Sequence, residues 1–126
     1  RLNVMGTVNL LEACRFATPR LRAVVVAGSN HSYGTLRDRP WRIGFREDEA
    51  LDAADVYGAS KAAADLSARA FGRSLGVPVN VLRHANTFGP ADIHSSHIVT
   101  GSVLSVLRGE RPANKMPAFR FVMTPR

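Results

Sequence analysis

The sequence contains a single cysteine, Cys14, and no apolar run that approaches the ~18 residues needed to span a membrane. One cysteine excludes an internal disulfide framework, and the charged start followed by an apolar core that is typical of a secretory signal is also missing. We therefore expect a cytoplasmic protein without membrane association. Cys14 itself is predicted to be a small core residue on a helix.

Lysine is scarce as well, since only Lys61 and Lys115 occur, although the formal net charge is +7. Seventeen Lys and Arg residues stand against ten Asp and Glu residues, and the arginines are scattered along the whole chain. Proteins that bind nucleic acids typically gather such charge into a stripe interleaved with aromatic residues, and this pattern is absent. We expect no nucleic-acid partner.

Two further patterns are missing from the sequence. There is no glycine-rich turn of the G-x-x-G-x-x-G kind, which at a helix N-terminus receives the pyrophosphate of a dinucleotide. The histidines His31, His94 and His97 have no spacing that resembles a helical His pair with a carboxylate partner. The sequence therefore predicts no metal site and offers no recognisable pyrophosphate site.

What the sequence does contain is a tyrosine and a lysine four residues apart, in Tyr57-Gly58-Ala59-Ser60-Lys61. On a helix this spacing puts the phenol and the ammonium on one face, one turn apart. Because a nearby positive charge favours the phenolate, the pair is typical of acid/base chemistry. Any exposed helix can also carry the two residues without a function, so the interpretation depends on what surrounds them.

Two apolar runs flank this helix, and each ends in polar residues. Residues 23–27 lead into Gly28-Ser29-Asn30-His31-Ser32-Tyr33-Gly34, and residues 77–83 lead into His84-Ala85-Asn86. Such runs are typical of buried strands, and strand, helix, strand is one right-handed crossover unit of a parallel sheet. Ligands of open α/β sheets bind beyond the carboxyl ends of the strands. We therefore expect both serine hydroxyls of the first polar segment to lie where chemistry takes place.

Four segments resemble, in order, motifs of the extended short-chain dehydrogenase/reductases, the NAD-dependent epimerase/dehydratase family that acts mostly on nucleotide sugars. The resemblance covers residues 2 to about 111. It implies an α/β fold with part of a Rossmann-like, doubly wound parallel sheet. The matching segments are Leu2 to Ala13 (N-x-x-G-T-x-x-L-L-E-A from Asn3), Val24 to Gly34, Tyr57 to Lys61, and Leu82 to Pro90 (L-R-x-x-N-x-x-G-P).

This resemblance implies catalytic roles for Ser29, Tyr57 and Lys61. Ser29 would hydrogen-bond the reacting sugar oxygen, and Tyr57 would exchange a proton with a sugar hydroxyl while hydride passes to the nicotinamide. Lys61 would hold the nicotinamide ribose and favour the tyrosinate through its charge. The cofactor is NAD or NADP, and the residues expected to contact it are Asn3, Tyr57, Lys61 and His84. The alternative is that Ser29 satisfies a backbone group at the strand end and that Asn3 and Asn86 are turn or cap residues.

The substrate is expected to be a nucleotide sugar or a related sugar, held by Ser29, Asn30, His31 and Asn86. In the 4,6-dehydratases of the family, the catalytic hydroxyl residue is commonly followed by acidic residues that drive the elimination of water, and here those places hold Asn30 and His31. Asparagine cannot exchange a proton at neutral pH, whereas histidine can. Redox or epimerase chemistry is therefore favoured. Residues 86–112 also resemble dehydratases, which keeps elimination open.

Residues 1–112 are predicted to be the catalytic middle of an NAD(P)-binding Rossmann-type domain, and residues 113–126 an irregular tail. Without a glycine-rich turn, the chain alone is not expected to bind the cofactor or to be active. The alternative interpretations are a truncated, non-catalytic remnant and, less favoured, a basic interaction module. The resemblance also implies a possible homodimer through helices near residues 3–17 and 56–75.

Overall fold

The computed structural model describes residues 2–17, 20–34 and 44–112. The predicted tail, residues 113–126, lies outside the described residues. None of the helices in the described ranges is both long and apolar enough to cross a membrane. The elements are a π-helical turn (Leu2–Gly6), α1 (Thr7–Ala17), β1 (Val24–Ala27), a 3₁₀ turn (Asn30–Tyr33), α2 (Val56–Leu75), β2 (Val79–Leu82) and α3 (Ile98–Leu107).

The two strands pair in parallel, with Val24 opposite Val79 and Ala27 opposite Leu82. Parallel neighbours need a crossover connection, and here α2 provides it, so the predicted strand, helix, strand unit is confirmed. Both strands are shorter than the apolar runs that predicted them. At the start of β2 the reason is Pro78, which has no N–H to donate to the neighbouring strand. Its carbonyl oxygen still accepts a hydrogen bond from the N–H of Val24, at 2.7 Å.

A small core lies between one face of this sheet and the helices α1 and α2. Leu11 of α1, Val26 of β1 and Ala68 of α2 are buried in one cluster with Val77. Burial of a leucine or valine side chain in this way stabilises the fold by about 1.5–3 kcal/mol relative to an exposed one. Cys14 is half-buried and packs against the cluster, as predicted for a small core residue. The core therefore fixes α2 against the strands that precede and follow it.

Other apolar side chains remain exposed. Val25 and Leu82, which alternate with the inward-facing residues of their strands, are 67% and 57% exposed. On the helices, Leu10, Phe16 and Leu66 are also more than half exposed. These last three lie on the helices of the predicted homodimer, which stays a prediction.

Helix α2 has a defined start and end. The Asp55 carboxylate caps its first turn by accepting a hydrogen bond from the N–H of Gly58 at 2.6 Å. At the other end Gly76 adopts a left-handed conformation (φ +68°), and its N–H bonds to the carbonyl of Phe71. Between the caps, alanines at positions 62–64 favour the helix. The cap therefore fixes the residues that open α2, Tyr57 among them.

The described residues from Asn86 onward belong to a separate compact unit. Within it Asp92 organises the turn before α3. Its carboxylate lies 2.9 Å from Nδ1 of His97 and accepts hydrogen bonds from the hydroxyl of Thr100 and the N–H of His94. These bonds, that of His97 first, lower the pKa of Asp92 to about 2. Asp92 thus links the turn before α3 to the first turn of the helix through the side chains of His97 and Thr100.

Replacing Asp92 with Asn is expected to remove a pH-dependent part of the stability of α3. The pKa of Asp92 in the folded chain, about 2, lies below its usual 3.8. The carboxylate therefore stabilises α3 fully above the usual value, and the stabilisation is lost as the pH falls toward about 2. In the wild type, amide exchange of α3 relative to its intrinsic rate should become faster as the pH falls through this window. In Asp92→Asn it should be faster already at neutral pH and change less.

The matched control is Asp52→Asn, which removes an exposed carboxylate from the other unit. It should leave the pH response of α3 as it is in the wild type. If Asp92→Asn kept the full wild-type pH response of α3, the assignment of that response to Asp92 would be wrong.

Candidate active site

The polar segment after β1 forms a single 3₁₀ turn at the carboxyl end of the strand. Ser29 caps this turn: it is 6% exposed, and its hydroxyl accepts a hydrogen bond from the N–H of His31 at 3.2 Å. The N–H of Asn30 donates to the carbonyl oxygen of His84, which follows β2, at 3.1 Å. The polar residues predicted at the two strand ends are therefore brought together by the structure.

Tyr57 and Lys61 lie beside this strand end. Tyr57, in the first turn of α2, is 49% exposed. The Nζ atom of Lys61 donates a hydrogen bond to the carbonyl oxygen of Ala27, the last residue of β1, at 2.9 Å, and lies 6.0 Å from the centroid of the Tyr57 ring. An ammonium group has three N–H donors, and this bond uses one of them. The predicted acid/base pair is thus anchored two residues before Ser29.

The contact between α2 and the 3₁₀ turn depends on a glycine. A Cβ atom placed on Gly58 would lie 2.5 Å from the backbone carbonyl oxygen of His31 and 3.3 Å from Cβ of Ala53. No side chain fits in this space, so a glycine directly after Tyr57 lets the two turns touch. The spacing of Tyr57 and Lys61 does not indicate this requirement, although Gly58 stands inside the same motif.

His31 has a partner that no motif indicated. Its Nδ1 atom lies 3.2 Å from Oδ2 of Asp55, and its ring stands edge-on to that of Tyr57, with the centroids 5.6 Å apart. The other oxygen of Asp55 accepts the N–H of Gly58. This backbone bond, followed by the bond to His31, holds the pKa of Asp55 below its usual value. Asp55 is therefore an ionised group that orients the imidazole beside the phenol.

The two predicted asparagine contacts differ in their placement. Nδ2 of Asn3 donates to the hydroxyl of Ser60 at 2.9 Å, and Ser60 in turn donates to the backbone carbonyl of Tyr57 at 2.7 Å. Asn3 therefore ends a chain of hydrogen bonds that supports the first turn of α2. Asn86 is an exposed residue of the second unit. The predicted contacts of both residues with cofactor or substrate stay predictions.

Ser32 differs from the sequence-based expectation. It is completely buried, and among the described residues its hydroxyl has no hydrogen-bond partner. The reason is the 3₁₀ turn, which directs Ser32 and Tyr33 into the protein, whereas an extended strand end would leave them open. Ser32 therefore lies at the predicted strand end, but its buried hydroxyl is not open to a substrate.

An ion pair holds the elements of the site together. Arg83, which follows β2, donates from Nε and Nη2 to the completely buried Asp65 carboxylate of α2, at 2.6 and 3.1 Å. Its Nη1 atom donates to the Tyr33 hydroxyl and, at 2.9 Å, to the carbonyl of Glu47. The hydrogen bonds to Asp65 raise the pKa of Arg83 further above its usual value. The Tyr33 ring stacks on Phe45. One guanidinium thus joins α2, the end of β2, the 3₁₀ turn and residues 44–50.

Parallel strands joined through a helix, with polar groups gathered at their carboxyl ends, are the arrangement expected of an α/β protein, the class to which Rossmann-type folds belong. A comparison with known families narrows this class. The sequence model of the NAD dependent epimerase/dehydratase family matches residues 1–119, and the chain belongs to this family. The resemblance found in the sequence and the fold class it implied are thereby confirmed.

Individual relatives agree with this assignment. The chain is 37% identical over 111 residues to a dTDP-glucose 4,6-dehydratase of Mycolicibacterium smegmatis, covering 87% of this chain and 32% of the relative. It is 28% identical over 127 residues to UDP-glucuronate 4-epimerase 1 of Arabidopsis thaliana, covering 95% and 29%. A crystal structure of dTDP-glucose 4,6-dehydratase from Bacillus anthracis in complex with NAD is similar with a TM-score of 0.73 and 32% identity, covering 87% and 34%. The chain spans about a third of the length of these relatives.

Proposed function

We propose that this chain is the catalytic portion of an NAD-dependent enzyme that oxidises a hydroxyl-bearing carbon of a nucleotide sugar. The observation that carries the proposal is the position of Lys61. Its Nζ atom donates a hydrogen bond to the carbonyl oxygen of Ala27 at the end of β1 and lies 6.0 Å from the centroid of the Tyr57 ring. The comparisons support it, since the relatives are named for reactions of dTDP-glucose and UDP-glucuronate and one similar structure holds NAD.

Tyr57 is the proton acceptor in this proposal. Its half-exposed phenol stands at the carboxyl end of β1, where a substrate of an open α/β sheet is expected. Its hydroxyl oxygen takes the proton of the sugar hydroxyl, and it returns that proton in the reverse direction. The Ser29 hydroxyl accepts the N–H of His31 and donates to no group within the described residues, so its own proton is available for the sugar oxygen.

The donors at this strand end fit the nicotinamide end of NAD. Lys61 uses one N–H on Ala27, which leaves donors for the ribose hydroxyls. NAD held by these donors would supply the acceptor for the hydride of the sugar carbon. For the pyrophosphate end the sequence provides no glycine-rich turn. We therefore propose that residues outside this sequence supply that turn.

The type of reaction is set by the residues that follow Ser29. Asn30 cannot act as an acid or base at neutral pH, and His31 is paired with Asp55, beside Tyr57. No carboxyl group occupies either position, so the proposal is oxidation or epimerisation without loss of water. The contact with Asp55 holds His31 as a polar group next to the phenol, where it can bind a sugar hydroxyl.

Product analysis tests this choice. We expect that a polypeptide joining residues 1–126 to a glycine-rich cofactor-binding segment, called the test enzyme below, converts dTDP-glucose or UDP-glucose with NAD into a keto sugar or an epimer that retains all its oxygen. Mass spectrometry and NMR of the sugar measure this. His31→Glu, which puts a carboxyl group beside Tyr57, is the matched variant and should increase any loss of water. A 4-keto-6-deoxy sugar as the main wild-type product would contradict the proposed reaction.

A further inference from the structure

An open groove of about 470 Å³ lies at the amino-terminal ends of the two strands. Three arginines line it, from two separate segments: Arg22 precedes β1, while Arg69 and Arg73 lie one turn apart on α2. Between them stands Gly72, on which a Cβ atom would be only 3.0 Å from Cγ1 of Val79. Helix and strand therefore approach closely here, and the three guanidinium groups border one space.

The positive charge of this groove is not neutralised by acidic side chains in its lining. No acidic side chain lines the groove, and for Arg22 and Arg73 the described residues provide no ion pair. Arg69 lies 3.8 Å from Asp65, but that carboxylate already accepts two hydrogen bonds from Arg83. Arg73 in the last turn of α2 complements the carbonyl end of the helix, yet this does not account for Arg22, which comes from another segment.

We propose that this groove binds a small, multiply charged phosphate of the pyrophosphate class. Guanidinium groups match phosphate oxygens with paired N–H donors and keep their charge at every physiological pH. No aromatic side chain lines the groove, so a nucleic-acid strand would find no surface on which to stack its bases. The groove is separate from the candidate active site, because Ser29 and Lys61 lie at the opposite, carboxyl ends of the same strands.

Calorimetric titration of the 126-residue chain with inorganic pyrophosphate, at constant ionic strength, tests the proposal. Circular dichroism verifies the fold of every variant. The groove variant, Arg22→Gln/Arg73→Gln, is expected to bind pyrophosphate about tenfold or more weakly than the wild type, since each substitution removes charge-assisted hydrogen bonds. The matched control is Arg15→Gln/Arg108→Gln, which lowers the net charge equally but lies outside the groove. This control variant should bind pyrophosphate as tightly as the wild type does. The same is expected of Lys61→Ala.

Parallel titrations with sulfate and citrate separate a phosphate site from general attraction of anions. We expect sulfate and citrate to bind at least tenfold more weakly than pyrophosphate. It is overturned if the groove variant and the charge-matched control lose affinity equally, or if citrate binds as tightly as pyrophosphate. It is overturned as well if Lys61→Ala abolishes binding, because pyrophosphate would then occupy the candidate active site.

Discussion

Tyr57→Phe is expected to lower the turnover of the test enzyme by about a thousandfold, in line with the loss of a general acid/base. The phenol lies 49% exposed beside Lys61 and His31, and its only polar atom is the hydroxyl that the variant removes. Phenylalanine keeps the ring and its edge-on contact with His31. The melting temperature should therefore stay close to that of the wild type, while the rate of sugar oxidation, measured through NADH or product formation, falls.

Tyr33→Phe is the matched control, since it removes the same atom from the other tyrosine of the chain. The Tyr33 hydroxyl accepts a hydrogen bond from Arg83, and the residue is 8% exposed, so the loss should appear in stability. The expected pattern is crossed: Tyr57→Phe loses turnover and keeps its melting temperature, and Tyr33→Phe does the reverse. If Tyr57→Phe kept wild-type turnover, Tyr57 would not be the acid/base of this site.

The second large effect is expected in stability. Arg83→Met should lower the free energy of unfolding by about 3–5 kcal/mol, the usual cost of leaving one member of a buried ion pair alone. Asp65 is completely buried, and after the substitution its remaining cationic neighbour, Arg69, is 3.8 Å away on a half-exposed side chain. The bonds to Tyr33 and to the carbonyl of Glu47 are lost as well. Urea denaturation followed by circular dichroism measures the change.

Two further variants show whether the buried charge is the cause. Arg69→Met removes the longer and more exposed contact to Asp65, and we expect it to cost less than about 1 kcal/mol. Asp65→Leu/Arg83→Met removes both charges and should recover much of the stability lost in the single variant, because no carboxylate is then left unpaired in the core. A double variant as unstable as Arg83→Met would show that packing, and not charge, dominates at this position.

The sequence predicted those parts of the structure that depend on local patterns. The apolar runs that end in polar residues indicated β1 and β2, and the spacing of Tyr57 and Lys61 indicated that they share a helix face. Parallel pairing then followed from the intervening helix, because only a crossover connection brings such strands together in this direction. The candidate site could be located in this way because chain order and strand direction alone place it.

Contacts between distant residues were not predictable from these patterns. Asp65 and Arg83 are separated by 18 positions, and no periodicity distinguishes them from other charged residues of the chain. The bond from Lys61 to the carbonyl of Ala27 and the pairing of His31 with Asp55 likewise depend on where α2 starts relative to the 3₁₀ turn. A sequence pattern identifies the residue types of a site, whereas the tertiary fold decides which of them meet.

Deuterium transfer tests the central claim most directly. The test enzyme would be mixed with NAD and a UDP-glucose labelled with deuterium at C4, and the label followed by mass spectrometry in a single turnover. The account predicts that deuterium appears on the nicotinamide ring in the wild type and that Tyr57→Phe slows this transfer by about a thousandfold. Label that never reaches the nicotinamide, or transfer that is equally fast in Tyr57→Phe, would contradict the proposal that hydride leaves the sugar carbon while Tyr57 accepts the hydroxyl proton.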